Sequence, residues 1–132
     1  MNLFTVEFRI EGTTLIPSNI TEIFALDPSL TSDMLTQRAR TTPRIPFWAY
    51  DGISTENNFV EQKWESLEEG LSFLLEKLVP KYDLIQTALP EYKVYWWCGY
   101  FQDTFDGGII LSPSILKKLS DFNIELIIKT YQ

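Results

Sequence analysis

Leu3-Phe4-Thr5-Val6-Glu7-Phe8-Arg9-Ile10-Glu11 decides the fold class. The even positions Phe4, Val6, Phe8 and Ile10 are apolar, and Thr5, Glu7, Arg9 and Glu11 between them are polar. Side chains alternate across a strand, so this period of two predicts a strand with one face on a core and one toward water. Gly12 and Thr13 close it. Pro17 to Leu26 then brings Ile20, Ile23 and Phe24 to helical spacing, opened at Pro17 or Ser18 and ended by Asp27-Pro28. The expectation is a short helix lying on the sheet.

From Ser29 to Arg44 the periodicity fades into a long irregular connection, a kind of segment that in compact domains is often functional. It carries Arg38, Arg40 and Arg44 with no acid after Asp33. Ile45 to Tyr50 has strand composition, Asp51-Gly52 reads as a turn, and Phe59 to Trp64 as a second, shorter strand. Ser66 with Glu69 three residues on forms a capping-box signature. Leu67, Leu71, Leu74, Leu75 and Leu78 line one face of the helix that follows, and Pro80 kinks it or opens another carrying Tyr82, Ile85 and Leu89. Tyr92 to Phe101 is an aromatic strand. Asp106-Gly107-Gly108 reads as a hairpin turn into Ile109 to Leu111. Ser112-Pro113 starts a helix with Ile115, Leu116 and Leu119 inward, Asn123 ends it in a left-handed conformation, and Ile124 to Tyr131 is the closing strand. The order strand, helix, strands, long helix, strands, helix, strand predicts an α+β domain. Its sheet is mixed or antiparallel and split βαβ-like, with helices mainly on one face.

The chain has 132 residues, 45% hydrophobic and 22% charged, which suits one globular domain spanning 1–132. No window approaches the length of a membrane span and no signal-peptide core follows Met1, so a cytoplasmic protein without a membrane partner is expected. There is no histidine, the commonest general base and metal ligand, and Cys98 is the lone cysteine. Cys98 sits among Trp96, Trp97, Gly99 and Tyr100, an apolar setting that raises a thiol pKa and argues against a nucleophile. Asp103 and Asp106 are the nearest carboxylate pair, yet Asp before Gly-Gly is what a turn demands. Glu68 and Glu69 suit the first turn of a helix, where the dipole favours acids in solvent. No metal-ligand motif and no phosphate loop is present. The expectation is a non-enzyme without cofactor.

Two features point to binding. In the aromatic strand Tyr95, Trp97, Gly99 and Phe101 share one face and Val94, Trp96, Cys98 and Tyr100 the other, so one aromatic face is either covered or an interface. Phe47, Trp48 and Tyr50 on a neighbouring strand would extend that aromatic patch. The net charge is -7, and Asp51, Glu56, Glu61, Glu65, Glu68 and Glu69 fall within nineteen residues whose one base is Lys63. Such a surface repels nucleic acid and steers basic proteins. Trp48 and Tyr50 as anchors with Asp51, Glu56, Glu61, Glu65 and Glu69 as charges form the first candidate site. Arg38, Arg40, Arg44 and Trp97, lining a pocket for an anionic small molecule in a regulatory domain, form the alternative. Oligomeric state is not legible.

Several stretches carry a resemblance: the opening strand, Leu15-x-Pro17-x-x-Ile20-Thr21, Ala25-Leu26-Asp27-Pro28-Ser29, Trp64 before the Ser66-led helix, Gly107-Gly108-Ile109-Ile110-Leu111-Ser112, and Ile124-Glu125-Leu126 with Thr130-Tyr131. Through them the chain resembles a bacterial family catalogued as domain of unknown function 4279. It departs from that family after Pro28, where a glycine-containing basic turn is missing. These are turn, cap and core features, so the resemblance implies a fold and no catalytic set. Small acidic domains of this kind also resemble the cytosolic immunity proteins of bacterial toxin systems, carried beside contact-dependent or secreted toxins. That resemblance implies a cognate toxin partner, such as a basic nuclease, whose active site the domain covers.

Overall fold

The structure, a computed structural model, describes residues 1–32, 45–60, 62–105 and 107–131. Its elements in chain order are β1 (Leu3–Glu11), α1 (Pro17–Phe24), β2 (Leu30–Ser32), β3 (Phe47–Tyr50), α2 (Leu67–Leu78), a 3-10 turn (Val79–Lys81), α3 (Tyr82–Ala88), β4 (Lys93–Phe101), α4 (Pro113–Asp121) and β5 (Glu125–Tyr131). The five strands form one mixed sheet in the order β2-β3-β1-β4-β5. β1 lies at its centre, antiparallel to β3 (Phe8 opposite Tyr50) and to β4 (Phe8 opposite Trp96). β4 and β5 run parallel, Trp97 opposite Ile127, with α4 as their crossover. The domain is α+β, as the element order predicts.

The alternation in β1 is realised residue by residue: Phe4, Val6, Phe8 and Ile10 are buried, and their polar neighbours are half-buried. Opposite them on the same face stand Trp48 and Tyr50 of β3 and Val94, Trp96, Cys98 and Tyr100 of β4. Onto this face α2 lays Leu67, Leu71, Leu74, Leu75 and Leu78, all buried. The close approach requires Gly70: a Cβ there would sit 2.8 Å from Trp64 Cδ1 and 3.0 Å from Val6 Cγ1. Ser66 caps α2 by accepting from the Glu69 amide at 3.3 Å, and Ser112 caps α4 by accepting from Ile115 N at 3.3 Å. Asn123 has φ 57°, the left-handed end expected for α4.

The differences from the sequence reading have physical causes. The described residues of Phe59 to Trp64 form no strand. β3 occupies the β1 edge along Phe8–Glu11, and beyond it Trp64 makes a single bridge to Phe4, each amide donating to the other's carbonyl at 2.7 Å. Gly107 to Ser112 holds no strand, and Ile109 to Leu111 forms no hairpin with β4, because β1 and β5 already occupy both edges of β4. β2 lies inside the stretch read as irregular, its three residues being too few to show a period. Ile23 and Leu116 were expected inward but are 56% and 49% exposed. The buried stripes are Pro17, Ile20 and Phe24 in α1, and Ile115 and Leu119 in α4.

Candidate functional site

Among the described residues no helix lies on the second face of the sheet, which collects the odd-numbered side chains. β1 contributes Thr5, Glu7, Arg9 and Glu11, β3 Phe47 and Ala49, β4 Tyr95, Trp97, Gly99 and Phe101, and β5 Ile127, Lys129 and Tyr131. Period-two alternation thus assigns three of the five aromatic residues of β4 to a surface that the described helices do not cover. Trp97, Phe47, Phe101 and Tyr131 are half-buried there, and Tyr95 is buried.

Arg9 organises the centre of this face. Its guanidinium lies 4.7 Å from the centroid of Trp97 and 5.6 Å from that of Phe47, a cation-π arrangement on both rings. Arg9 Nε donates to Glu7 Oε1 at 2.8 Å, and a second guanidinium nitrogen reaches the same oxygen at 2.8 Å. Glu11 accepts from the Tyr95 hydroxyl at 3.4 Å and pairs with Lys93 at 3.7 Å. Burial, reinforced by Glu11, pushes the Tyr95 hydroxyl pKa up. Toward β5, Phe101 and Tyr131 stack at 4.9 Å, and Lys63 lies 4.4 Å from the Phe101 centroid. Gly99 lets Thr5 and these two rings close over the strand, since a Cβ there would fall 2.6 Å from Thr5 Oγ1 and 3.1 Å from Phe101 Cε2.

A groove of about 220 Å³ opens where β1 passes under the segment after β3. Thr5, Glu7, Arg9 and Trp97 form its floor, and Asp51, Ile53, Phe59, Val60, Gln62 and Trp64 its wall. Phe59 is 73% exposed at its lip. The wall is held by Asp51, whose Oδ1 accepts from the amides of Ile53 and Ser54 at 2.8 and 2.7 Å. Ser54, buried, accepts from Val60 N at 3.0 Å and donates to Val60 O at 2.9 Å. The volume falls below the ~300–1,000 Å³ of drug-sized ligand sites, and the groove mixes two carboxylates with one arginine already neutralised by Glu7. An extended segment or a single side chain of a partner suits it better than an anionic small molecule.

The expected site residues divide sharply. Trp48 and Tyr50 are corrected from anchors to core. They point to the helix side of the sheet, where Trp48 is 0% exposed, donates through Nε1 to Thr21 Oγ1 at 3.0 Å and stacks on Tyr50 at 5.9 Å. The alternation that turns Phe47 outward turns Trp48 inward. Asp51 lines the groove; Glu56 is exposed and accepts from Thr31 Oγ1 at 3.1 Å; Glu65 and Glu69 are exposed. Trp97 stands at the centre of the helix-free face. Glu61, Arg38, Arg40, Arg44 and Asp106 lie outside the described residues. The sequence reading missed Arg9, which was legible as the one cation on the polar face of β1. It also read Glu68 as solvated, whereas this carboxylate accepts from the Ser112 amide, ties α2 to the start of α4, and is held below the usual carboxylate range by that bond.

The groups weighed for catalysis sit elsewhere. Cys98 is buried on the helix side, its thiol pushed up to about 12 by burial and by Glu7. Asp103 is exposed and paired with the N-terminal ammonium, which holds it below the usual range. Among the described residues no three Cys, Asp or Glu side chains are grouped to hold a metal, and no helix is long and apolar enough to cross a membrane.

Comparison with known proteins adds one finding. No curated protein and no solved structure matches the chain. A sequence model of one family, described as domain of unknown function (DUF4279), matches residues 2–132, which covers every strand and helix described above. The chain therefore belongs to the DUF4279 family.

Proposed function

We propose that this chain is a non-catalytic protein-binding domain acting in the cytoplasm, and that its contact surface is the helix-free sheet face with the groove beside it. In its most concrete form it is an immunity protein that neutralises a cognate toxin domain by covering the toxin's active site. One observation carries the reading: Phe47, Trp97, Phe101 and Tyr131 share a face on which no described helix rests, Phe47 and Trp97 about Arg9 and Phe101 stacked on Tyr131 further along β4. Aromatic and arginine side chains are the types that anchor interfaces, and half-buried rings held by neighbours lose little further freedom on binding. The net charge of -7, with Asp51, Glu56, Glu65 and Glu69 along the segment after β3, supports a basic partner, because such a field speeds association. A thiol that stays protonated up to about pH 12 supports a role without nucleophilic chemistry.

The test is calorimetry between the purified chain and the product of the gene adjacent to its own, with survival of cells expressing that product as the second readout. Binding and protection are expected. Trp97→Ala weakens binding by about tenfold or more with an unchanged circular dichroism spectrum, and Trp48→Ala acts through stability alone. Reversing Glu65 and Glu69 slows association more than it speeds dissociation. Absence of both binding and protection removes the antidote reading; full binding by Trp97→Ala removes the surface assigned to it.

A further inference from the structure

We infer that the free edge of β5 pairs with the same edge of a second copy of this chain, antiparallel and centred on Ile127, joining the two sheets into one of ten strands. Among the described residues β5 ends the sheet, and its seven residues make it longer than β2, the other described edge, which has three. The Tyr131 carbonyl accepts from Gln102 N at 2.9 Å, so Tyr131 addresses β4. Backbone groups alternate in direction along a strand; Glu125, Ile127 and Lys129 therefore also address β4, while Leu126, Ile128 and Thr130 direct their N–H and C=O away from the sheet.

An antiparallel pairing centred on Ile127 uses those outward groups in register. Leu126 meets Ile128 of the second copy as a hydrogen-bonded pair, and Ile128 meets Leu126, while Ile127 meets its own image as a non-hydrogen-bonded pair. Glu125 then stands opposite Lys129 twice, in the non-hydrogen-bonded positions where side chains come closest. Both residues are exposed, and neither has an ion-pair partner among the described residues. A charged residue on an edge strand ordinarily discourages pairing. Here each charge finds its opposite in this register, whereas a shift of the centre by one residue sets Lys129 against Ile127. The occupant is thus a second copy, selected by a segment, Glu125-Leu126-Ile127-Ile128-Lys129, that is complementary to itself about a two-fold axis.

Sedimentation equilibrium of the whole chain over a wide concentration range tests this. The expected mass is twice 15.4 kDa at high concentration. Lys129→Glu and Glu125→Lys, each turning two attractive contacts into repulsive ones, weaken the dimer by roughly ten- to hundredfold. The double exchange Glu125→Lys with Lys129→Glu restores it. Ile127→Cys gives a disulfide-linked dimer under mild oxidation, because residues on the axis come within bridging distance and the native Cys98 is buried. A mass of 15.4 kDa at every concentration overturns the proposal, and so does a dimer indifferent to both single reversals.

Discussion

Replacing Trp48 by alanine separates a core role from a binding role more cleanly than any other single change. The indole is 0% exposed and packs edge-on against Phe24 at 5.7 Å and Phe8 at 6.3 Å, so its removal opens a hole in the middle of the sheet's helix side. Burying a Trp removes ~150–250 Å² from water, worth about 4–6 kcal/mol at 25 cal/mol/Å², and measured large-to-small changes at such sites cost about 3–5 kcal/mol. The Nε1 bond to Thr21 is also lost, but Thr21 is half-buried and can turn to water, so that loss adds about 1 kcal/mol or less. Against a total of about 5–15 kcal/mol, the variant keeps a small margin. Urea unfolding followed by far-ultraviolet circular dichroism, which does not depend on the removed fluorophore, reads a midpoint lower by about 1–3 M with the slope unchanged. Trp97→Ala, on the half-buried helix-free face, loses less than half as much. Where Trp48→Ala leaves too little folded protein, Trp48→Phe with Thr21→Val in a double-mutant cycle isolates the hydrogen bond, with a coupling of about 1 kcal/mol. A cost below about 1 kcal/mol for Trp48→Ala, or equal costs for the two alanine variants, refutes the assignment of Trp48 to the core.

Three further outcomes follow from the geometry. The Cys98 thiol, raised to about 12, is protonated in the native state while the unfolded chain ionises near the ordinary thiol value; its contribution is complete below about pH 8.5 and lost as pH rises toward 12. Cys98→Ala therefore flattens the alkaline fall in stability, and thiol reagents at pH 8 label the wild type only in denaturant; rapid native labelling contradicts this. Glu68, lowered by its bond to Ser112, works in the opposite sense, its stabilisation being present above the usual carboxylate range and lost as pH falls through the depressed value. Glu68→Gln weakens the tie to α4, seen as faster amide exchange at Ser112, and flattens the acid limb of the stability profile; an unchanged limb counts against it. Gly70→Ala gains about 1 kcal/mol of helix propensity but forces a methyl against Trp64 and Val6, an overpacking worth about 1–3 kcal/mol, so the net change in denaturant midpoint is downward and an upward shift is the contrary result.

How much of this could be read from residue order varies along the chain. β1, α2 and α4 are legible from local signals, namely the period of two in Leu3–Glu11, the leucine stripe after the Ser66 cap, the Ser112-Pro113 start and the left-handed Asn123, and β4 from its dense aromatic composition. Phe59 to Trp64 has a strand's composition, yet its described residues form no strand: a strand exists only with a neighbour, β3 holds β1 along Phe8–Glu11, and beyond it Trp64 alone bridges to Phe4. Asp106-Gly107-Gly108 is equally suited to many turns, and the pairing of β4 with β1 on one edge and β5 on the other leaves no edge for a hairpin with Ile109 to Leu111.

The candidate site divides along the same line. Residue order alone shows that β4 carries aromatic side chains on both faces, that the chain is acidic, that its single thiol is set among apolar residues, and where β1 runs and α2 and α4 start; these rest on residue types and on spacings shorter than a few turns. Which aromatic face the helices cover follows from the pairing of the strands, and with it that Trp48 belongs to the core, that Arg9 lies between Trp97 and Phe47, and that β5 ends the sheet among the described residues. Those facts depend on which strands become neighbours, and neighbour choice is a contest between long-range pairings whose outcome no local pattern of residues contains.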